Sequence, residues 1–224
     1  LDIDLCKKYF DIWHSVGCKI VVKASFIADA KIAAEAGADV MIVKGWEGGG
    51  HVTFEATTVL VPQAVDLMKV PVVASGGIAD GRGMAATIAM GADGIEMGTV
   101  FMAAEETLVH PAAKQAVIEA GDMSTVITGY CTDEPCRQVK NKLADEMIRI
   151  EAENTKAKAA ELLLPVAQSS LRKGMAEGDM ENGAVMAGEI TALVNEIRPV
   201  AKIIDDTIAQ AKEILAHITE YQFN

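Results

Sequence analysis

Val70-Pro71-Val72-Val73-Ala74-Ser75-Gly76-Gly77-Ile78-Ala79-Asp80-Gly81-Arg82-Gly83 decides the fold. An apolar run over 70–75 ends in two glycines, and residues 83–90 then read as a helix stopped by Gly91. A short buried strand that passes through a glycine turn into a helix is one unit of a parallel α/β sheet. The same unit recurs on both sides. Upstream, 19–23 and 39–43 read as strands, with an alanine-rich helix over 28–36 between them, closed by Gly37. Downstream, 94–97 reads as a strand leading to Gly98 and Thr99. Ala36-Gly37-Ala38-Asp39 and Met90-Gly91-Ala92-Asp93 repeat one helix–turn–strand junction. Residues 3–16 are expected to form an amphipathic helix, with Leu5, Tyr9, Ile12, Trp13 and Val16 at helical spacing and Gly17 at the cap position. Residues 57–68 also read as helical.

The character changes after Val100. A helix over 111–120 and a short strand at 125–128 precede a pattern that is helical from Asn141 almost to the end. The exception is 178–188 (GDMENGAVMAG), a glycine-spaced loop opening a helix. The expected division is therefore a partial (β/α) barrel over 1–130 and a helical appendage over 131–224.

Composition limits the function classes. The 224 residues are 50% hydrophobic, enough for a real core, and only 4% aromatic, so that core is aliphatic. The formal net charge of −12 argues against non-specific nucleic-acid or anionic-membrane binding, which needs basic patches. The N-terminus carries Asp2, Asp4, Lys7 and Lys8, unlike a signal peptide, and no apolar run is long enough to span a bilayer. Cys6, Cys18, Cys131 and Cys136 lack zinc-pair spacing and are too sparse for a disulfide scaffold. Free thiols in a reducing cytoplasm, and no metal, are the expectation.

Three loops stand at the carboxyl ends of expected strands, where parallel α/β proteins bind ligands. The first is Gly45-Trp46-Glu47-Gly48-Gly49-Gly50-His51. Consecutive glycines let backbone approach a planar or anionic ligand, and the histidine that follows them is a candidate catalytic group. An incidental surface histidine on a flexible loop is the competing reading. The second loop, Ser75-Gly76-Gly77, precedes a helix whose N-terminal amides and dipole suit a phosphate. The third is Gly98-Thr99. Phosphate sites after the last two strands are a habit of (β/α)₈ barrels. Neither a dinucleotide fingerprint nor a P-loop is present. Lys23, at the end of the first strand, is either a snorkelling surface lysine or a cofactor contact. His14, His110 and His217 read as ordinary helix or surface residues.

Together, Gly45–His51, Pro71–Gly83 and Gly94–Phe101 (GIEMGTVF) resemble the FMN-dependent barrel family of nitronate monooxygenases and type II enoyl-acyl-carrier-protein reductases. The resemblance covers roughly residues 15–145. The segment 178–188, with Glu105, Glu106, His110 and Pro111, is similar to the reductase branch, whereas Lys23 resembles a flavin-contacting lysine of a quinone-reductase and monooxygenase branch. The resemblance implies that Ser75, Gly76, Gly77, Gly98 and Thr99 hold the FMN phosphate. It implies further that Gly49 passes close to the flavin, Lys23 contacts its ring, Met186 approaches from the helical side and His51 faces the substrate.

The activity implied is NAD(P)H-dependent reduction of an enoyl thioester, free or bound to acyl carrier protein. Nitronate oxidation or quinone reduction is the alternative, and an inactive, flavin-free fragment is a third; a homodimer is compatible with all of them. A complete (β/α)₈ barrel needs about 250 residues. With four barrel strands counted, the fold expected is the C-terminal half of such a barrel plus its helical appendage, lacking the N-terminal strands.

Overall fold

A computed structural model describes residues 1–218 and 220 of the 224-residue chain. Among these residues, contacts define two compact units. One holds 1–46, 53–96 and the chain from 207; the other holds 47–52 and 97–206. This differs from the division expected at residue 130.

The first unit is built on a parallel sheet of β1 (Val21–Ala24), β2 (Val40–Lys44), β4 (Val72–Ser75) and β5 (Gly94–Glu96), in the order β1-β2-β4-β5. Helices α2 (Ile27–Glu35), α3 (Thr57–Leu67) and α4 (Gly81–Ala89) connect successive strands. The four parallel βα strands read from the sequence are thus present, shifted by one or two residues. Met41, Val43, Val72 and Ala74 are buried on the sheet, against Leu60, Val61 and Ala64 of α3. Ala30 and Ala33 of α2 are fully buried, and their small side chains let that helix ride close to β1 and β2.

The repeated Gly-Ala-Asp junction proves to be a strand clamp. Asp39 donates its N–H to the Ile20 carbonyl (2.8 Å) and accepts the Ile20 N–H on its carboxylate (2.8 Å). Asp93 does the same to Val72, at 2.8 and 2.9 Å. Each aspartate therefore pins the start of its own strand to the start of the neighbouring one. Gly37 and Gly91 precede these clamps at φ +107° and +97°, conformations glycine adopts without the Cβ penalty. Lys19 above all, then the Ile20 N–H and His14, hold the Asp39 carboxyl well below the usual carboxylate range. A depressed folded pKa means stability that is present above the unfolded value, near 3.8, and lost as pH falls through the folded one. Asp39→Asn is therefore expected to lower Tm near neutral pH and to flatten its decline below about pH 4. Melting curves of both proteins across that range check this.

Helix α1 (Ile3–Ser15) forms where expected, capped by the Asp2 carboxylate on the Leu5 N–H. Its burial is the reverse of the stripe read from the sequence. Phe10 is the buried residue, whereas Leu5, Tyr9, Ile12, Trp13 and Val16 are exposed. The helix turns Phe10 inward and meets α2, leaving the longer apolar face outward.

The second unit opens with α5 (Thr99–Met102) and α6 (Pro111–Glu119) and holds an antiparallel sheet of order β3-β7-β6: β3 (Gly50–His51), β7 (Cys136–Val139) and β6 (Thr125–Thr128). Helices α7 (Lys142–Glu153), α8 (Lys156–Ala167) and α9 (Ser170–Met175) follow, then a 3₁₀ turn at Glu189–Leu193. Helix α10 (Val200–Ile218) is the last described element, and its residues from 207 belong to the first unit. Two expectations change here. The Gly45–His51 stretch is not all loop, because its last two residues are a strand. The region 131–224 is not wholly helical, because it contributes β7. Leu143, Met147, Ile150, Ala159 and Leu163 form this unit's apolar core. Leu163 is 2% exposed, so Leu163→Ala is expected to cost about 3 kcal/mol, read from the urea midpoint.

Candidate functional site

In the first unit, the carboxyl ends of the parallel strands carry Lys23 and the Ser75–Gly77 turn. Gly76 and Gly77 lie at φ +89° and +74°, two successive left-handed residues that turn the chain sharply out of β4. Lys23 does not stand alone at the end of β1, because its ammonium pairs with the Glu96 carboxylate on β5. The other Glu96 oxygen is buried and has no hydrogen-bond partner in this structure. Sequence reasoning missed Glu96; an acidic residue at the end of a short apolar strand was the signal.

The helix after the Gly-Gly turn departs from expectation. Asp80 caps α4 by accepting the Arg82 N–H at 2.9 Å, and its carboxylate also pairs with the Arg82 guanidinium. The Gly81 N–H donates to Gln210 Oε1 at 2.8 Å. A Cβ at Gly81 would lie 2.5 Å from the Ala211 nitrogen, so α10 sits directly on this end. The amides read as a phosphate site are thus already used, and an anion on this unit is left the two turn glycines.

The second unit holds His51, Gly49, Gly98, Thr99 and Met186. Four backbone bonds tie down the segment 184–189. Ala184 donates to Ser170 O (2.8 Å), Val139 to Val185 O (2.9 Å), Gly188 to Thr99 Oγ1 (2.9 Å) and Glu189 to Glu47 O (2.9 Å). A Cβ at Gly49 would lie 2.6 Å from the Ala187 carbonyl carbon, and one at Gly188 would lie 2.6 Å from the Glu47 oxygen. The two glycines are required because the chain's own backbones cross here. Gly174 and Gly183 form a second such crossing, at 2.4 Å from Ala184 O and 2.2 Å from the Gly174 nitrogen respectively. The glycine spacing of 174–188 is thereby explained by packing. Behind β7, Arg137 is buried and bonds Glu189 at 2.9 Å. Burial pushes its guanidinium pKa down, and the Glu189 carboxylate opposes that shift.

His51 and Met186 line one cavity of about 460 Å³. Its walls are largely apolar: Met147, Leu163, Leu164, Ala167 and Leu171. The β-sheet contributes His51, Cys136, Gln138 and Thr128, and further polar lining comes from Thr132 and Glu134 between β6 and β7 and from Ser169 and Ser170 at the start of α9. Gln138 is 1% exposed; its Nε2 donates to Thr128 Oγ1 at 2.9 Å, and its Oε1 has no hydrogen-bond partner in this structure. Sequence reading named none of Cys136, Gln138 and Thr128 as lining residues: β7 breaks hydrophobic alternation, and the strand read over 125–128 carries no sign of what it faces. No group of three or more His, Cys, Asp or Glu residues able to hold a metal occurs among the described residues. No described helix is long and apolar enough to cross a membrane.

The comparisons agree with this architecture. The family model for nitronate monooxygenase matches residues 7–210. The chain belongs to the nitronate monooxygenase family. A probable nitronate monooxygenase of Staphylococcus saprophyticus is 31% identical over 209 residues, which is 88% of this chain and 58% of that protein. The solved structure of FabK from Thermotoga maritima is 38% identical, with a TM-score of 0.89, over 96% of this chain and 68% of that one. Nitroalkane oxidase from Streptomyces ansochromogenes is 25% identical, with a TM-score of 0.78 and 62% of its chain covered. The chain thus spans little more than half the length of the curated relatives it matches. Its fold is α/β, the βα-strand portion of a TIM-type barrel.

The residues fit an FMN group in part. A Cβ at Gly98 would project into open space, so the backbone there is approachable. Thr99 accepts the Gly188 N–H and keeps its own hydroxyl proton to donate.

Proposed function

We propose that this chain carries the phosphate-side and substrate-side residues of an FMN-dependent oxidoreductase that reduces enoyl thioesters with NADH or NADPH. The observation that carries the reading is the cavity of about 460 Å³, which sets His51 and Met186 against a long apolar wall. Such a wall suits an aliphatic acyl chain, with the histidine at its polar side. The likeness to FabK and to nitroalkane oxidase supports the oxidoreductase part of this reading.

Ser75, Gly76, Gly77, Gly98 and Thr99 would hold the FMN phosphate through backbone amides and one hydroxyl. Gly49, Lys23 and Met186 would border its ring. When bound, FMN supplies hydride transfer between a nicotinamide and a substrate carbon. The remaining work falls to side chains. His51 orients the thioester carbonyl or provides a proton to the α-carbon, since histidine can exchange protons near neutral pH. The apolar side chains of α8, Leu163 above all, would lie along the acyl chain. Lys23 brings a cation to the strand ends, where Glu96 fixes its position.

A second reading is oxidation of nitronates, favoured by the family model and the curated relatives. The FMN-loaded chain separates the two. Oxidation of NADH that depends on crotonyl or longer enoyl thioesters supports the first reading. Oxygen uptake with alkyl nitronates and no thioester turnover overturns it. A colourless protein whose melting curve ignores added FMN overturns both.

A further inference from the structure

We propose that Cys136 is a covalent modification site, whose sulfur adds to α,β-unsaturated carbonyl compounds entering the His51 cavity. Cys136 and His51 are directly opposed across β7 and β3. The bond from the Val52 N–H to the Pro135 carbonyl, at 2.9 Å, marks theirs as the non-hydrogen-bonded kind of antiparallel pair. In such pairs the Cα atoms lie about 4.5 Å apart and the side chains share one face. Both residues line the cavity. Gln138, two residues along the same face, brings its buried Oε1 to the same wall with no partner. This face therefore offers a nucleophile and a proton carrier to one occupant, with a buried, unpartnered acceptor in the wall beside them.

The other cysteines lack this arrangement. Cys131 is buried, and burial followed by the Glu151 carboxylate pushes its thiol pKa up. Cys6 and Cys18 belong to the first unit, where Cys18 is exposed. A thiol becomes nucleophilic when a neighbouring base takes its proton, and an adjacent imidazole does this.

The step balances without an oxidant. In this structure the Cys136 thiol donates to the Glu134 carbonyl at 3.5 Å; to react it turns from that carbonyl to His51, which takes the thiol proton, and the thiolate lone pair forms a bond to the β-carbon. The C=C π pair moves to the α-carbon as the carbonyl's enolate, which recovers the proton from the imidazolium. The net change is addition of S–H across C=C, so the whole electrophile is retained. The choice of an unsaturated thioester as electrophile rests on the function proposed above; the thiol's reactivity does not.

The test uses the full chain without reductant. Treated with limiting N-ethylmaleimide and mapped by mass spectrometry, Cys136 is expected to label about tenfold faster than exposed Cys18. His51→Gln and, as a second variant, His51→Asn should slow Cys136 about tenfold and leave Cys18 unchanged. Labelling of Cys136 no faster than Cys18, or unaffected by both variants, overturns the proposal. With the crotonyl thioester of N-acetylcysteamine, Cys136 should gain the mass of the entire thioester, and Cys136→Ser should abolish the gain. A gain of the acyl mass alone, or none, overturns the addition step. An adduct without reductase turnover refutes only the proposed function; turnover without an adduct refutes only this inference.

Discussion

Gly49→Ala is expected to destabilise the chain by about 3 kcal/mol, and Gly50→Ala by only about 1 kcal/mol, although the two glycines are adjacent. The added Cβ at residue 49 would sit 2.6–2.9 Å from three backbone atoms of Ala187 and Gly188, none of which can swing aside. At residue 50 the new methyl meets nothing within 4 Å, so only the strain of a side chain at φ +71° remains. Urea denaturation of both variants measures the difference. Equal losses would refute the packing explanation and return Gly49 to a purely ligand-facing role.

His51→Gln is expected to lower kcat/KM for the enoyl thioester about 10²-fold, the usual scale for removing a general acid–base group. Glutamine keeps the polarity and approximate reach of the side chain but cannot carry a proton. His51 is exposed on its two-residue strand, so the fold should tolerate the change, and the melting temperature is expected to hold. FMN affinity should hold as well. A loss confined to KM would assign the imidazole to positioning. A loss confined to kcat would assign it to proton transfer.

Much of the fold was legible because its signals were local. Four short apolar runs, each bracketed by a glycine stop and a helix, can be read as parallel strands without knowing what they touch. The strand clamp was visible as a repeated tripeptide, but its purpose was not. Nothing local shows that Asp39 and Asp93 reach back to Ile20 and Val72, each about 20 residues earlier in the chain.

Of the antiparallel sheet only β6, over 125–128, was legible. Its other two strands were not: β3 has two residues, and Cys136-Arg137-Gln138-Val139 of β7 buries an arginine and a glutamine where a pattern search looks for apolar side chains. The outward stripe of α1 misled for the converse reason: spacing identifies an apolar face, but not which side the neighbours occupy.

The candidate site was partly legible. The positions singled out carry the features that drew attention to them, but several serve the chain before any ligand. Gly49 clears a backbone crossing, Thr99 anchors Gly188, and Lys23 already has a carboxylate partner. The end of α4 read as a phosphate cradle is closed by Asp80 and Gln210.

The pairing of Gly50 and His51 with Arg137 and Cys136 sets a counting rule for the glycine stretch before it. Strand side chains alternate faces, so one residue inserted between Gly45 and His51 would turn the imidazole to the far side of the sheet. Two inserted residues would bring it back. Length variation at this point in working relatives should therefore come in even steps.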